Sequence, residues 1–146
     1  MAGIYLHIPY CKVRCIYCDY YKETDETNID QFTEALCREA EMRKHEMGDE
    51  VINTIYLGGG TPSRLHKEYM ARLFDTLYEH HTIAPDAEIT IEANPDDLTD
   101  EYINMLAATP INRFSIGIQS FDDDELRFLS RRHKGQQAID AVHAVQ

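Results

Sequence analysis

Hydrophobic and polar positions alternate along this chain with two different periods, and the changes of period mark its elements. Ile4, Leu6 and Ile8 alternate with Tyr5 and His7, a period of two that predicts a strand over 3–8 with different surroundings on its two faces. From Asn28, a residue suited to capping, Ile29, Phe32, Leu36 and Ala40 fall on one helical face and Gly48 offers a stop, which predicts a helix over about 29–47. A second strand, 54–57, runs into Gly58-Gly59-Gly60-Thr61-Pro62-Ser63, too rich in glycine for a regular element. Met70, Leu73, Phe74 and Leu77 stand at i, i+3, i+4 and i+7 and predict a helix over 67–80. Strict alternation over 88–93 gives a third strand, closed by Asn94-Pro95, and Thr99 before Asp100 and Glu101 marks a helix start. That helix ends before Pro110. The fourth strand, 113–118, places Phe114, Ile116 and Ile118 on one face and Ser115 and Gly117, then Gln119, on the other. A short helix is expected over 122–129, and a last one begins near Gly135 with Ala138, Ile139 and Val142 on one side.

Strand and helix thus alternate four times, with connections long enough for parallel pairing, so the fold class is α/β: about four right-handed βα units, half of a barrel or an open sheet. Tyr5, His7, Tyr56, Thr90, Glu92, Ser115, Gly117 and Gln119 fall on the strand face turned away from the helices. The glycine turn, Glu92 and Gln119 lie at strand C-terminal ends, where such folds gather their chemistry. Helical character persists to Gln146 without a stop signal, which predicts that the natural chain continues and that 1–146 is one core domain, incomplete at its C-terminus.

Composition narrows the function. With 26 Asp and Glu against 14 Lys and Arg, the formal charge is −12, which argues against a nucleic-acid backbone or an anionic membrane as the main partner. No basic segment leads into an apolar core at the start, and no run reaches transmembrane length, so a cytoplasmic protein is expected. Three of the four cysteines, Cys11, Cys15 and Cys18, follow the first strand at C-x3-C-x2-C spacing. Disulfides suit an unexported chain poorly, whereas three thiolates in one short loop can converge on a soft metal centre and leave a fourth position open. The alternative is a zinc knuckle completed by His7 or another residue, but zinc pairs of thiols come twice over and no second pair exists here. Cys37 could supply a fourth ligand, but it lies mid-helix among apolar neighbours and reads rather as a buried structural thiol.

Other residues at the strand ends add to the site. Glycines 58–60 let a ligand approach the backbone with no Cβ in the way. Glu92 suits ribose hydroxyls, the Gln119 amide can donate and accept, and Arg131, beside Arg132, can fork onto a carboxylate.

These segments together resemble the radical S-adenosylmethionine superfamily, and within it the group holding the oxygen-independent coproporphyrinogen dehydrogenases and the haem chaperones. The likeness rests on 5–11, the cysteine loop, Gly58-Gly59-Gly60-Thr61-Pro62, Glu92-Ala93-Asn94-Pro95, Gly117-Ile118-Gln119-Ser120-Phe121 and Leu129-Ser130-Arg131-Arg132-His133. It implies a partial (β/α)6 barrel with a [4Fe–4S] cluster on Cys11, Cys15 and Cys18, whose open iron takes the amino and carboxylate groups of S-adenosylmethionine. It further implies that Tyr5 and Tyr17 border cluster and cofactor, that Gly59, Gly60 and Thr61 meet the methionine end, that Glu92 holds ribose, and that Gln119 and Arg131 complete the pocket. The dehydrogenases carry another cysteine two positions past the third and a long segment before the strand. This chain has Asp19-Tyr20 there and starts at the strand, so the resemblance is closest to the haem-chaperone branch. That branch implies haem or porphyrin as ligand, a haem-accepting protein and an electron donor as partners, and haem-binding residues beyond Gln146. The enzymatic alternative is oxidative decarboxylation of coproporphyrinogen III.

Overall fold

The four strands β1 (Ala2–Ile8), β2 (Ile52–Gly59), β3 (Ile83–Ala93) and β4 (Arg113–Ile116) form one parallel sheet in the order β1-β2-β3-β4. The computed structural model in which they are seen describes residues 2–146. Each strand returns to its neighbour through one of α1 (Ile29–Met42), α2 (Lys67–His80) and α3 (Asp100–Leu106), and α4 (Asp123–Phe128) and α5 (Gly135–Ala144) follow β4. This is the expected α/β succession of four βα units. The register Tyr5↔Tyr56↔Thr90↔Arg113 runs straight across the sheet, as does Leu6↔Leu57↔Ile91↔Phe114 one residue later. The two rows point to opposite faces, so the alternation in the sequence becomes two chemically distinct sides.

The apolar side carries the core. Leu6, Ile8, Ile55, Leu57, Ile89 and Ile91 meet Met70, Leu73, Phe74 and Leu77 of α2, and none of these ten is more than 4 % exposed. Each such side chain contributes about 1.5–3 kcal/mol of burial, enough in sum to fix which way every strand faces. The polar side is left open at its C-terminal end for a site.

Several details differ from expectation, among them the second strand, which runs over Ile52–Gly59 rather than 54–57. The first helix stops at Met42 rather than near Met47: the regular apolar spacing ends at Ala40 and Met42 is already 77 % exposed. Asn28 does not cap it by its side chain; its Oδ1 instead accepts from the Tyr10 hydroxyl at 2.7 Å. The third strand begins at Ile83, five residues early, through pairing of Ile83 with Ile52 across a register shift. The fourth ends at Ile116, since Gln119 takes a left-handed φ of 69° and turns the chain. Cys37 is half-buried rather than buried: it packs against the core and its Sγ lies 3.8 Å from the Arg72 carbonyl of α2.

Candidate functional site

The cysteine loop leaves the end of β1 and is closed at its neck by backbone pairing. The amide of Cys11 donates to the Glu23 carbonyl and that of Glu23 to the Pro9 carbonyl, both at 2.8 Å. Tyr10, at the neck, is buried edge-on against Phe32. Beyond the neck, Arg64 forks onto Glu26 at 2.6 and 2.9 Å, Lys22 donates to the carbonyls of Cys18 and Tyr20, and Lys12 pairs with the buried Asp97. A segment with almost no regular structure is therefore pinned from several sides. Cys11, Cys15 and Cys18 are all free and half-buried, with a turn from the Cys18 amide to the Cys15 carbonyl.

These thiols form one wall of a cleft of about 320 Å³ at the C-terminal ends of the strands. Gly60 and Thr61 follow β2 into it, Glu92, Ala93 and Asn94 come from the end of β3, and Ser115 to Gly117 with Gln119 come from β4. Arg131 and Arg132 close the far side. Glu92 accepts from the Tyr56 hydroxyl at 2.7 Å and from the Gly59 amide at 3.1 Å, so its carboxylate is held without an ion pair among the described residues. Burial pushes the Tyr56 hydroxyl up from its ordinary range, and the hydrogen bond it donates to Glu92 adds to that, so it stays a donor. Burial likewise raises the Cys11 thiol, against which the Thr61 hydroxyl, donating to Sγ at 3.3 Å, acts in the opposite sense. Tyr17 is raised by burial and lowered by Arg131, whose Nη1 stands 3.3 Å from its hydroxyl.

Gly60 is required for the approach of β2 to the cysteine strand. A Cβ there would lie 2.7–2.9 Å from backbone atoms of Pro9 and Ile8, while its own amide donates to the Ile8 carbonyl at 2.7 Å. Gly59 takes a φ of 111°, and a Cβ on it would meet the His7 ring.

Of the residues singled out in the sequence, the cleft gathers Cys11, Cys15, Cys18, Tyr17, Gly60, Thr61, Glu92, Gln119 and Arg131. Tyr5 and Gly59 stand outside its lining and reach it through Glu92: Gly59 by its amide, and Tyr5 by stacking on Tyr56 at 6.2 Å between ring centroids. Lys12, Lys22 and Asn94 also line the cleft, and the sequence assigned them no role. Lys12 and Lys22 belong to the cysteine loop and look like ordinary surface lysines in the sequence. Asn94 could have been found from its place two positions past Glu92, at a strand end.

Residues 5–146 match the family model described as the radical SAM superfamily. The chain belongs to that superfamily. It is 37% identical over 148 residues to the haem chaperone HemW of Mycobacterium tuberculosis strain CDC 1551, covering 98% of this chain and 38% of that protein. It is 40% identical over 139 residues to the anaerobilin synthase of Escherichia coli O157:H7, covering 93% of this chain and 31% of that protein. Among solved structures, the radical SAM enzyme coproporphyrinogen III oxidase HemN from Escherichia coli superimposes with a TM-score of 0.89 at 29% identity, over 98% of this chain and 33% of that one. The chain therefore spans about a third of the length of the curated relatives it matches. Among the described residues no helix is long and apolar enough to cross a membrane.

The donor set suits the superfamily's cofactors. Among the described residues no three His, Cys, Asp or Glu side chains converge as a shell around a single ion. A four-iron cluster does not ask for one, because its thiolates bind different irons. The Arg131 Nε is buried with no hydrogen-bond partner, an unused donor at the edge of the cleft. A Cβ on Gly117 would stand in ordinary van der Waals contact with the side chains of Asn94, Gln119 and Arg131, 3.5–3.6 Å away.

Proposed function

We propose that Cys11, Cys15 and Cys18 hold a [4Fe–4S] cluster, that the cleft binds S-adenosylmethionine, and that the chain is the first part of the core domain of a haem chaperone like the HemW proteins it resembles. The observation that carries this reading is the meeting, in one cleft, of three free thiols from a single loop with Glu92, Gln119 and Arg131 from other strand ends. When bound, cluster and cofactor supply one-electron reduction of a sulfonium; the chain's own residues bind and orient. Glu92, with both oxygens already accepting one bond, keeps lone pairs for ribose hydroxyls. Arg131 and Lys22 offer positive charge to a carboxylate, and Thr61 and Arg131 direct hydrogens at the sulfurs of Cys11 and Cys15. Haem or porphyrin, a haem-accepting protein and an electron donor are the partners this reading assigns to the whole protein.

The test is anaerobic reconstitution with iron and sulfide, followed by titration with S-adenosylmethionine. Brown protein with about four irons per chain is expected. Cys15→Ala should abolish the cluster while Cys37→Ala, on the α1–α2 seam, leaves it intact. Equal loss in both would overturn the ligand assignment, and tight zinc without a cluster would favour a zinc-stabilised interaction domain. The likeness to HemN supports a second reading, coproporphyrinogen III dehydrogenase. Stoichiometric haem transfer without porphyrinogen turnover supports the chaperone; catalytic turnover supports the dehydrogenase.

A further inference from the structure

Two of the three thiols are joined through a ring of side chains whose centre is Asn94. The Thr61 hydroxyl lies 3.3 Å from the Cys11 Sγ, Asn94 Nδ2 lies 3.2 Å from the Thr61 oxygen, and Asn94 Oδ1 lies 2.6 Å from Arg131 Nη2. Arg131 in turn places Nη1 3.7 Å from the Cys15 Sγ, with Nη2 shared onto the Gly117 carbonyl at 2.6 Å.

The direction of every proton in this ring is fixed. A guanidinium only donates, so the amide must turn its oxygen to Arg131 and its NH2 to Thr61. An amide NH2 only donates, so the Thr61 oxygen must accept there, and its single proton is left for Cys11. Asn94 thereby aims donors at two sulfurs from one side chain. Aspartate could accept from Arg131 but could not donate to Thr61, and alanine could do neither. Polarised chains of this kind strengthen their members and couple them.

We propose that Asn94 is a positioning residue that sets the hydrogen bonding of Cys11 and Cys15 together, acting through Thr61 on one side and Arg131 on the other. The proposal rests on the cluster reading above. Hydrogen bonds to cluster sulfurs stabilise the more negative, reduced state, and outer partners of metal ligands hold the site together. Asn94→Ala should therefore make the cluster harder to reduce and speed its loss to an iron chelator by about 10-fold or more.

Three measurements decide it. A redox titration of reconstituted protein should give a more negative midpoint potential in Asn94→Ala than in the wild type. Thr61→Val should lower the potential alone, Thr61→Ser should restore it, and Asn94→Ala added to Thr61→Val should cost less than the two separately, because both act along one path. In cluster-free protein, amide hydrogen exchange over residues 11–18 should be faster in Asn94→Ala. Wild-type protein that takes up no cluster would sink the cluster reading, and the exchange measurement would still judge the network. Unchanged potential and chelation in a loaded variant, strictly additive effects, or unchanged exchange would each overturn the role of Asn94.

Discussion

Replacing Lys12 by methionine tests whether the cysteine loop is held by charge rather than by shape. The Lys12 ammonium pairs with Asp97, whose side chain is 2% exposed, and the other carboxylate oxygen accepts from the Ser63 hydroxyl at 3.0 Å. Methionine keeps the aliphatic stem and removes the charge. It leaves a buried anion with one neutral donor. Breaking one side of a buried pair costs about 3–5 kcal/mol, but the Lys12 side chain is 28% exposed and water weakens the pairing it loses. A loss of about 2–3 kcal/mol is expected. Asp96 adds little to the loss, because it lies 3.9 Å from the same ammonium and keeps Arg132, at 3.3 Å, as its partner.

For a chain of this length each kcal/mol moves the melting temperature by about 3–4 °C, so Lys12→Met should melt about 6–12 °C lower. Thermal and urea unfolding of cluster-free protein measure this without interference from iron. Adding Asp97→Asn should recover most of the loss, since a neutral amide keeps a bond to Ser63 and no longer needs a cation. A Lys12→Met variant within about 0.5 kcal/mol of wild type, or a double variant no better than the single, would refute the argument.

Two further outcomes follow from the same geometry. Gly60→Ala should fold but fail to hold a cluster, because its Cβ would press on the backbone of Ile8 and Pro9 and move the strand that carries Cys11; normal iron uptake would contradict this. His133 is buried and its Nε2–H donates to the Ile118 carbonyl at 3.0 Å, and burial, aided by Arg131, depresses its pKa. The unfolded chain then binds more protons as pH falls, so the contribution of His133 is complete above roughly pH 6.5 and is lost as pH drops through the lower folded value. His133→Gln, which keeps an N–H for Ile118, should flatten the fall in urea midpoint between about pH 7 and about pH 5; parallel curves for the two proteins would exclude the effect.

Why some of this was legible in the sequence, and some not, has a physical reason. The helix over 67–80 was readable to the residue because its apolar positions are the same ones that are buried, Met70, Leu73, Phe74 and Leu77. Glu92 was readable as a cleft residue because a period of two states which face a strand residue takes, whereas Gln119, three residues past the end of β4, reaches the cleft through a turn that alternation does not describe. The start of β3 was hidden by Pro85 and Asp86, which resemble a loop although Ile83 pairs with Ile52. Asn94 was quoted in a motif but given no role, since alternation carries no information once a strand has ended. The Lys12–Asp97 pair joins two loops far apart in sequence, and nothing local in either distinguishes it from solvated charge.

The overall acidity of the chain, −12, also misleads about the site itself. Four cations, Lys12, Lys22, Arg131 and Arg132, line the cleft against two carboxylates, Glu92 and Asp96. Lys12 and Arg132 are paired with Asp97 and Asp96. Among the described residues Lys22 and Arg131 have no carboxylate partner, and both lie against the cysteine loop, on the Cys18 carbonyl and the Cys15 sulfur. Gathering three sulfurs that must ionise together is unfavourable, and Cys15 and Cys18 each push the Cys11 thiol upward. Two unneutralised cations at that loop reduce the cost of the assembly without reversing the sign of the whole protein. The net charge that argues against a nucleic-acid partner therefore describes the outer surface, and the cleft has the opposite electrostatic character.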